Sequence, residues 1–550
     1  RVVWSGEKLE DDFSEAVFPE GTVADPIFPE GLKAAGAKMD EGQVPFRVRH
    51  FPLPVDKVRG RAIRPTDVAF LSDGTGMLCT LDGDVWRIEG LDGTEARWTR
   101  VATGLFEPMG IEVDGKDRVF VLGRDQVTEL IDGNGDGHID VYRNASDAFQ
   151  QTMHTRDYAL SFALEPDGSF LVAKGGIYSA KDSGDSELSG HRGTVLRLSA
   201  DGEKATVLAD GLRMPYVGRR ADGSVFASDQ QGHYVPSTPL LELTKGTPYL
   251  GHEPTKFRRE MKTTEPVLWY PYQVNRSGAG FATLPAEGFP DLGETFAQVS
   301  WSGRLFPIVT PEAGLPFSWR LPVQFDFPTL NAATHPKTGE LFVVGLGISG
   351  YKPTTPRLSG LAAIRQSGSM VVPAELRVSE TKTVVRFAKP LSAGQTVTLS
   401  SYRVWNIKRR SAYGSGHFRW DGSAGEHAIA AEGVRLSADR RSLEIKTRPV
   451  FRSHILALDL YVSDGERSYP LNLFARPGHL KEPTSRDLAE VKTREKSAAS
   501  VEAGNVERGK LIFTQFACAG CHSLSGEKLA GPSLKGVATR HEGALGEFLR

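Results

Sequence analysis

Phe162-Ala163-Leu164-Glu165-Pro166-Asp167-Gly168, followed at once by Ser169-Phe170-Leu171-Val172-Ala173, is the stretch on which the fold turns. An apolar run, a turn ending in Asp-Gly and a second apolar run form a strong hairpin signal. Asp and Gly tolerate the backbone angles that tight turns between strands require. The unit recurs upstream at Val68-Ala69-Phe70-Leu71-Ser72-Asp73-Gly74 and Ile111-Glu112-Val113-Asp114-Gly115. It recurs downstream at Val217-Gly218-Arg219-Arg220-Ala221-Asp222-Gly223, and in weaker form at Phe289–Gly293 and Thr334–Gly339. Six copies at a spacing of roughly 40–70 residues predict a six-bladed β-propeller of four-stranded blades over residues 51–366. The alternative is an irregular β-sandwich.

The rest of the chain is read outward from this repeat. Residues 1–50 carry Phe-Pro-Glu-Gly twice, at Phe18–Gly21 and Phe28–Gly31, and are expected to be irregular. Residues 370–475 lose the period but alternate as half-buried strands do, for example in Val384-Val385-Arg386-Phe387, and predict a separate β-sandwich. Residues 476–500, rich in Pro, Lys, Glu and Ser, read as a linker into a last segment, 501–550. With 59 Gly and 33 Pro among 550 residues, the chain is mainly β. A formal net charge of −2 gives no basis for a nucleic-acid partner. No apolar run approaches the ~18 residues that a membrane-spanning helix needs. The chain opens on Arg1-Val2-Val3-Trp4 without a signal peptide, and is expected to be either mature or truncated.

In the last segment, Cys518-Ala519-Gly520-Cys521-His522 is the c-type haem attachment pattern. Two thiols at this spacing each form a thioether to a haem vinyl group, and the adjacent imidazole sits beneath the iron. A zinc site would need two further ligands at matching spacing, and the one other cysteine is the distant Cys79. Cys79 reads as a small core residue on a strand. The flanks Gly509-Lys510-Leu511-Ile512-Phe513 and Gly531-Pro532-Ser533-Leu534-Lys535-Gly536 resemble those of small class I cytochromes c, which are α-helical. The resemblance implies that the Pro532 carbonyl accepts the His522 Nδ1–H and so orients the ring. It also implies a distal ligand beyond Arg550, because all seven methionines fall at or before Met370. The cytochrome domain, 501–550, is therefore expected to be truncated. Covalent haem attachment in that family implies a periplasmic or extracytoplasmic location and a redox partner protein of the respiratory chain.

Asp132-Gly133-Asn134-Gly135-Asp136-Gly137-His138-Ile139-Asp140 places oxygen donors at alternate positions, as a calcium loop does. The expected ligands are Asp132, Asn134, Asp136, Asp140 and the backbone carbonyl of His138. Position twelve is Arg143, so this is no EF-hand. The shorter form resembles calcium loops on some β-propellers; the alternative is a solvated turn.

Gly211-Leu212-Arg213-Met214-Pro215, followed by Asp222-Gly223-Ser224-Val225-Phe226-Ala227-Ser228-Asp229, resembles a motif of the glucose/sorbosone dehydrogenases, soluble quinoproteins that use pyrroloquinoline quinone. Met214 stands where that family has asparagine. The resemblance implies that Arg213 faces the quinone and that Asp229 positions a neighbour or binds a metal. It makes His154 the general base, although the family's tighter histidine pattern is absent from Met153-His154-Thr155-Arg156-Asp157. A histidine suits that role because its pKa lies near working pH; the alternative is a surface or core-edge histidine. Arg276, in Asn275-Arg276-Ser277-Gly278, is a further candidate cofactor contact. The domain order, with Tyr413-Gly414-Ser415-Gly416 in the middle domain, resembles large bacterial multidomain c-type cytochromes described as membrane-bound dehydrogenases.

Two functions are thus expected. In one, a sugar or alcohol is oxidised at the propeller and the electrons pass to the haem. In the other, the propeller is a non-catalytic carbohydrate- or protein-binding module fused to an electron-carrying cytochrome.

Overall fold

All six turns quoted above join the first and second strands of an antiparallel sheet. In four of them an aspartate accepts a hydrogen bond from the backbone N–H two residues on: Asp73 from Thr75, Asp114 from Lys116, Asp167 from Ser169 and Asp222 from Ser224. Such Asx turns explain the repeat chemically. Hydrogen bonds from Thr75, Ser169 and Ser224 hold the Asp73, Asp167 and Asp222 carboxyls below their usual range.

The computed structural model describes residues 31–40, 45–56, 61–152, 157–176, 190–244, 246–252, 262–347, 355–465 and 467–501. Six sheets follow one another, with first strands Pro65–Phe70, Gly110–Val113, Ala159–Leu164, Tyr216–Arg219, Gly278–Leu284 and Asn331–Thr334. Each first strand packs on the next, and the last packs on the first, so the six close a ring.

Side chains staple the ring from sheet to sheet. Thr66 Oγ1 donates to Pro108 O (2.8 Å), and Asp67 accepts from Ile111 N. Ser161 bonds both the N–H and the C=O of Val217, and Asn331 Nδ2 reaches Thr66 O and Met109 O. These contacts satisfy backbone groups that the inner strand edges would otherwise leave exposed. One apolar cluster fills the end of the ring where the first strands begin, with Met109, Leu160, Met214, Tyr216, Ala279, Leu330 and Leu346. Cys79 is fully buried on the strand Gly76–Thr80, and burial pushes its thiol pKa up.

Three departures from the sequence reading follow from long-range pairing and from helix propensity. The segment expected to be irregular forms the strand Phe46–Phe51, which pairs with Ser359–Gln366 and completes the sixth sheet from the other end of the chain. Leu32–Ala35 likewise extends the first sheet beside Glu95–Ala102.

The residues expected as a separate sandwich are continuous with the fifth sheet. Phe317–Arg320 pairs with Ser468–Ala475, and Ile455–Ser463, Thr396–Trp405 and His427–Ala428 follow. A second sheet orders Pro373–Val378, Lys382–Phe387, Ser442–Thr447 and Ala431–Leu436. One hydrophobic core joins Val299, Phe317 and Trp319 to Leu376, Leu456 and Leu473, so residues up to Lys481 form one compact unit.

The expected linker carries the helix Ser485–Val501, which belongs to a second unit from Glu482 onward. Thr484 and Asp487 exchange hydrogen bonds as a capping box, and an Ala-, Glu- and Lys-rich run sustains the helix. Among the described residues, no helix is long and apolar enough to cross a membrane.

Candidate functional site

Arg213 and Asp229 come together at the end of the ring where the first strands begin. Asp229 is fully buried and closes the turn before Tyr216–Arg219. Its Oδ2 accepts from Arg213 N (2.9 Å), and its Oδ1 accepts from Met214 N and Gln230 N (both 2.7 Å). Burial pushes the Asp229 pKa up to about 6 against these hydrogen bonds and the Arg213 charge. Its geometry is therefore that of a backbone clamp that sets the start of the fourth sheet's first strand. Met214, read as a departure from the family motif, lies in the apolar cluster at the ring's centre.

The Arg213 side chain is 4% exposed and donates from one terminal nitrogen to Gln230 Oε1 (2.8 Å). Its guanidinium lies 5.3 Å from the ring centroid of Tyr413, a residue of the C-terminal β-domain. The loop between Thr396–Trp405 and His427–Ala428 is docked on the fourth sheet's loop by backbone bonds. Tyr234 N donates to Arg410 O (3.0 Å), Gly414 N donates to Gly232 O (3.0 Å), and His233 Nδ1 lies 2.7 Å from Ser411 O. Arg409 donates to Tyr234 O, Leu250 O and Thr264 O. Two glycines permit the approach: a Cβ on Gly232 would meet the Arg213 side chain at 2.5 Å, and one on Gly414, at φ +65, would meet Gln231 at 2.4 Å.

A buried ion pair lies beside this turn. Lys174 Nζ is 3.1 Å from Asp157 Oδ1 and donates to Gln151 Oε1 (2.8 Å). Its strand end is tied to the turn by Gly176 N donating to Arg213 O (2.6 Å). Burial, opposed by Asp157, holds the Lys174 pKa below its ordinary value. On the neighbouring loop, Arg124 donates to Glu107 and lies 4.7 Å from the Tyr158 ring centroid and 5.6 Å from that of Phe106.

Within the ring, Asp67 and Glu112 are both pushed up to about 8 by burial, and the Asp67 charge adds to the shift at Glu112. Asp67 accepts from Val68 N and Ile111 N, whereas Glu112 keeps partial contact with water.

His154 falls outside the described residues. Arg276 is partly buried, and its Nε lies 3.4 Å from Tyr272 Oη on the same loop.

In the loop 132–140 the oxygens turn onto the loop's own amides. Asp132 accepts from Gly135 N and Gly137 N, Asp136 from His138 N, and Asp140 from Gly133 N. The Arg87 guanidinium reaches Gly137 O (3.3 Å), which sets a positive charge beside the loop. Among the described residues, no three of His, Cys, Asp and Glu gather as a metal-holding group.

The quinone expected from the family resemblance is a poor fit to Arg213 as it stands. One face of the guanidinium is against Tyr413 and one nitrogen is engaged by Gln230, so no open bidentate clamp faces outward. Lys174, Asp157, His233 and Tyr413 were absent from the candidate set.

Comparison with known proteins identifies one segment. Residues 506–546 match the cytochrome c family, so the chain carries a cytochrome c domain at its C-terminus. Cys518, Cys521, His522 and Pro532 lie in that match and outside the described residues. No curated protein matches the chain.

Among solved structures, the chain is similar to an oxidoreductase (glucose dehydrogenase) from Thermus thermophilus. The identity is 16%, covering 58% of this chain and 99% of that chain, with a TM-score of 0.45. It is similar to the PQQ-bound aldose sugar dehydrogenase of Streptomyces coelicolor at 15% identity, covering 60% and 100%, with a TM-score of 0.42. It is also similar to the apo soluble aldose sugar dehydrogenase of Escherichia coli at 12% identity, covering 58% and 99%, with a TM-score of 0.42.

Proposed function

We propose that this chain is a periplasmic electron-transfer dehydrogenase. A sugar or alcohol is oxidised at the end of the ring beside Arg213, and the electrons leave through a C-terminal haem toward a respiratory partner protein. The six sheets are read as the blades of a β-propeller, and the paired C-terminal sheets as a β-sandwich built onto the fifth blade. The observation that carries the reading is the presence, in one chain, of a cytochrome c domain and a ring whose entrance gathers Arg213, Asp229 and the Lys174–Asp157 pair. Cys518 and Cys521 would hold a haem, with His522 as an iron ligand, and the group would supply one-electron transfer. Oxidation of an alcohol carbon releases two electrons, and a quinone cofactor is the class of acceptor that bridges the two stoichiometries. For a quinone to reach Arg213, the loop carrying Tyr413 must yield.

The test is stopped-flow mixing of the haem-loaded full chain with aldoses and alcohols, with and without pyrroloquinoline quinone, while the haem α-band is followed. Reduction that requires quinone and substrate together, and that is lost in His154→Ala, is expected. A haem that dithionite reduces but no such combination reduces would favour the second reading, a binding module fused to an electron carrier. That reading draws its own support from the covering of Arg213 by Tyr413.

A further inference from the structure

We infer that Arg304 and Arg320 form an oxyanion-binding site where the fifth sheet meets the fourth, one that takes a carboxylate or phosphate group of a small molecule. The two arginines lie on neighbouring strands of the fifth sheet, Arg304–Val309 and Phe317–Arg320. These strands pair Ile308 with Ser318 and Val309 with Phe317, and Leu321 N donates to Leu305 O (3.0 Å). That register sets Arg320 opposite Phe306, with Arg304 two residues earlier on the same face. Diagonal neighbours of this kind lie about 7–8 Å apart, within reach of long side chains. The face looks toward the fourth sheet. Phe306 packs on Tyr270 with 5.2 Å between ring centroids, and Arg304 donates to Gln273 O and Val274 O just beyond that ring.

Arg304 is held in place without being neutralised. Its Nε donates to Gln324 Oε1 (3.0 Å) and its Nη1 to Val274 O (2.7 Å), both uncharged acceptors. Gln324 is itself fixed, because its amide donates to the carbonyls of Ser302, Gly303 and Phe325. Arg320 is left with less. Among the described residues it has no hydrogen-bond or ion-pair partner, and its Nε is buried. The one acid in the strands of this sheet, Asp459, lies two strands away. It already accepts from Asn472 Nδ2 (2.7 Å), Arg403 Nη2 (3.0 Å) and Ser401 Oγ. Burial lowers the Arg304 pKa, burial with the Arg304 charge pushes Arg320 down to about 10, and no acid counters either shift.

A cation that gives up water without gaining an anion is costly, and two such cations side by side are more so. Both arginines keep partial contact with water, so a solute can reach them. The guanidinium fork matches the paired oxygens of a carboxylate or phosphate. One guanidinium already oriented by the protein, one without a partner, and no carboxylate competing for either make a site that gains by admitting an anion. It lies on the third and fourth strands of the fifth sheet, apart from the turn that carries Arg213, and it does not depend on the dehydrogenase reading.

The experiment is calorimetric titration of the haem-loaded full chain with inorganic phosphate and, separately, with malonate, at constant ionic strength set by sodium chloride and with neither quinone nor sugar present. Wild type, Arg320→Met and Arg320→Lys are compared, with thermal unfolding run on each to verify the fold. Arg320→Met is expected to melt no lower than wild type, because it breaks no bond and removes an unpaired charge. At least one of the two anions is expected to bind wild type with a Kd of about 5 mM or below. Arg320→Met is expected to weaken that binding at least about tenfold, and Arg320→Lys, which keeps the charge and loses the fork, about three- to tenfold. A preference for malonate supports the site and assigns it a carboxylate; a preference for phosphate supports it and assigns a phosphate. Absence of a saturable heat with both anions in wild type, or equal affinity in Arg320→Met, overturns the inference.

Discussion

Replacing Lys174 by methionine should destabilise the β unit more than any surface change could. Lys174 is 0% exposed and Asp157 is 1% exposed, and their charged atoms are 3.1 Å apart. The ammonium also bonds Gln151 and lies 5.1 Å from the Phe149 ring centroid. Asp157 is held from its other side as well, because Oδ2 accepts from Thr152 N (3.1 Å) and Thr152 Oγ1 (2.9 Å). Lys174→Met conserves volume but leaves that carboxylate buried without its cation, which costs about 3–5 kcal/mol. Asp157→Asn in the same chain keeps an oxygen for Thr152 and removes the stranded charge, so the double variant should recover to within about 1–2 kcal/mol of wild type.

The assay is equilibrium urea unfolding of the full chain, followed by circular dichroism of the β transition. The pH dependence has a definite sign. With the folded pKa of Lys174 below its unfolded value, the unfolded chain binds a proton that the folded chain does not. Stability therefore rises with pH across a window that closes near the unfolded value of about 10.4, and Lys174→Met removes that rise. A loss below about 1 kcal/mol in Lys174→Met, or a double variant no better than the single, would refute the reasoning.

The acids inside the ring predict the opposite slope. Asp67 and Glu112 have folded values of about 8, above their unfolded values, so their protonated forms favour folding and stability falls as pH rises from about 4 to about 8. Glu112→Gln should flatten that fall by about 1–3 kcal/mol, less than the full shift implies because Glu112 still meets water, and melting temperatures between pH 5 and pH 9 measure it. The loop 132–140, closed on its own amides beside Arg87, is expected to leave the melting temperature unchanged on adding about 1 mM calcium or a chelator. A rise of several degrees with calcium would establish the cation site expected from the sequence.

What could be read in the chain divides by range. The Asp-Gly turns are local: Asp167 bonds the amide two residues away, so four of them, with two weaker Gly turns, announced six hairpins. Arg213 and Asp229 were also legible, because one hairpin separates them. The strand Phe46–Phe51 was not, although Phe-Arg-Val-Arg-His-Phe alternates, because its partner Ser359–Gln366 lies at the other end of the ring. The Lys174 environment depends on Asp157 and Gln151 from a preceding loop, and lysine carries no signal of its own burial. Asp67, Ser161 and Asn331 did carry one. A polar residue inside an otherwise apolar first strand is costly unless it is paired, and each pairs with the backbone of a neighbouring sheet. The helix Ser485–Val501 was hidden by reading composition where capping and propensity decide, since Thr484-Ser485-Arg486-Asp487 is a start signal.

The same long-range pairing explains how a loop of the β-domain comes to lie against Arg213. Had residues 370–475 been a separate body on a tether, Tyr413 would sample many positions instead of one over Arg213. Instead, Phe317 pairs with Ala475, Ser318 with Phe474, Trp319 with Leu473 and Arg320 with Asn472, so the fifth sheet runs on into the domain. Phe317, Trp319, Leu456, Leu471 and Leu473 share one hydrophobic core across the two. Arg409 then fastens the far side, with one largely buried guanidinium donating to three carbonyls of the fourth sheet's loops. Among the described residues, the stretch from Arg410 to Gly416 brings Tyr413 over Arg213. An opening there would be a loop motion rather than a domain motion, as the loop carrying Tyr413 must make for a quinone to reach Arg213.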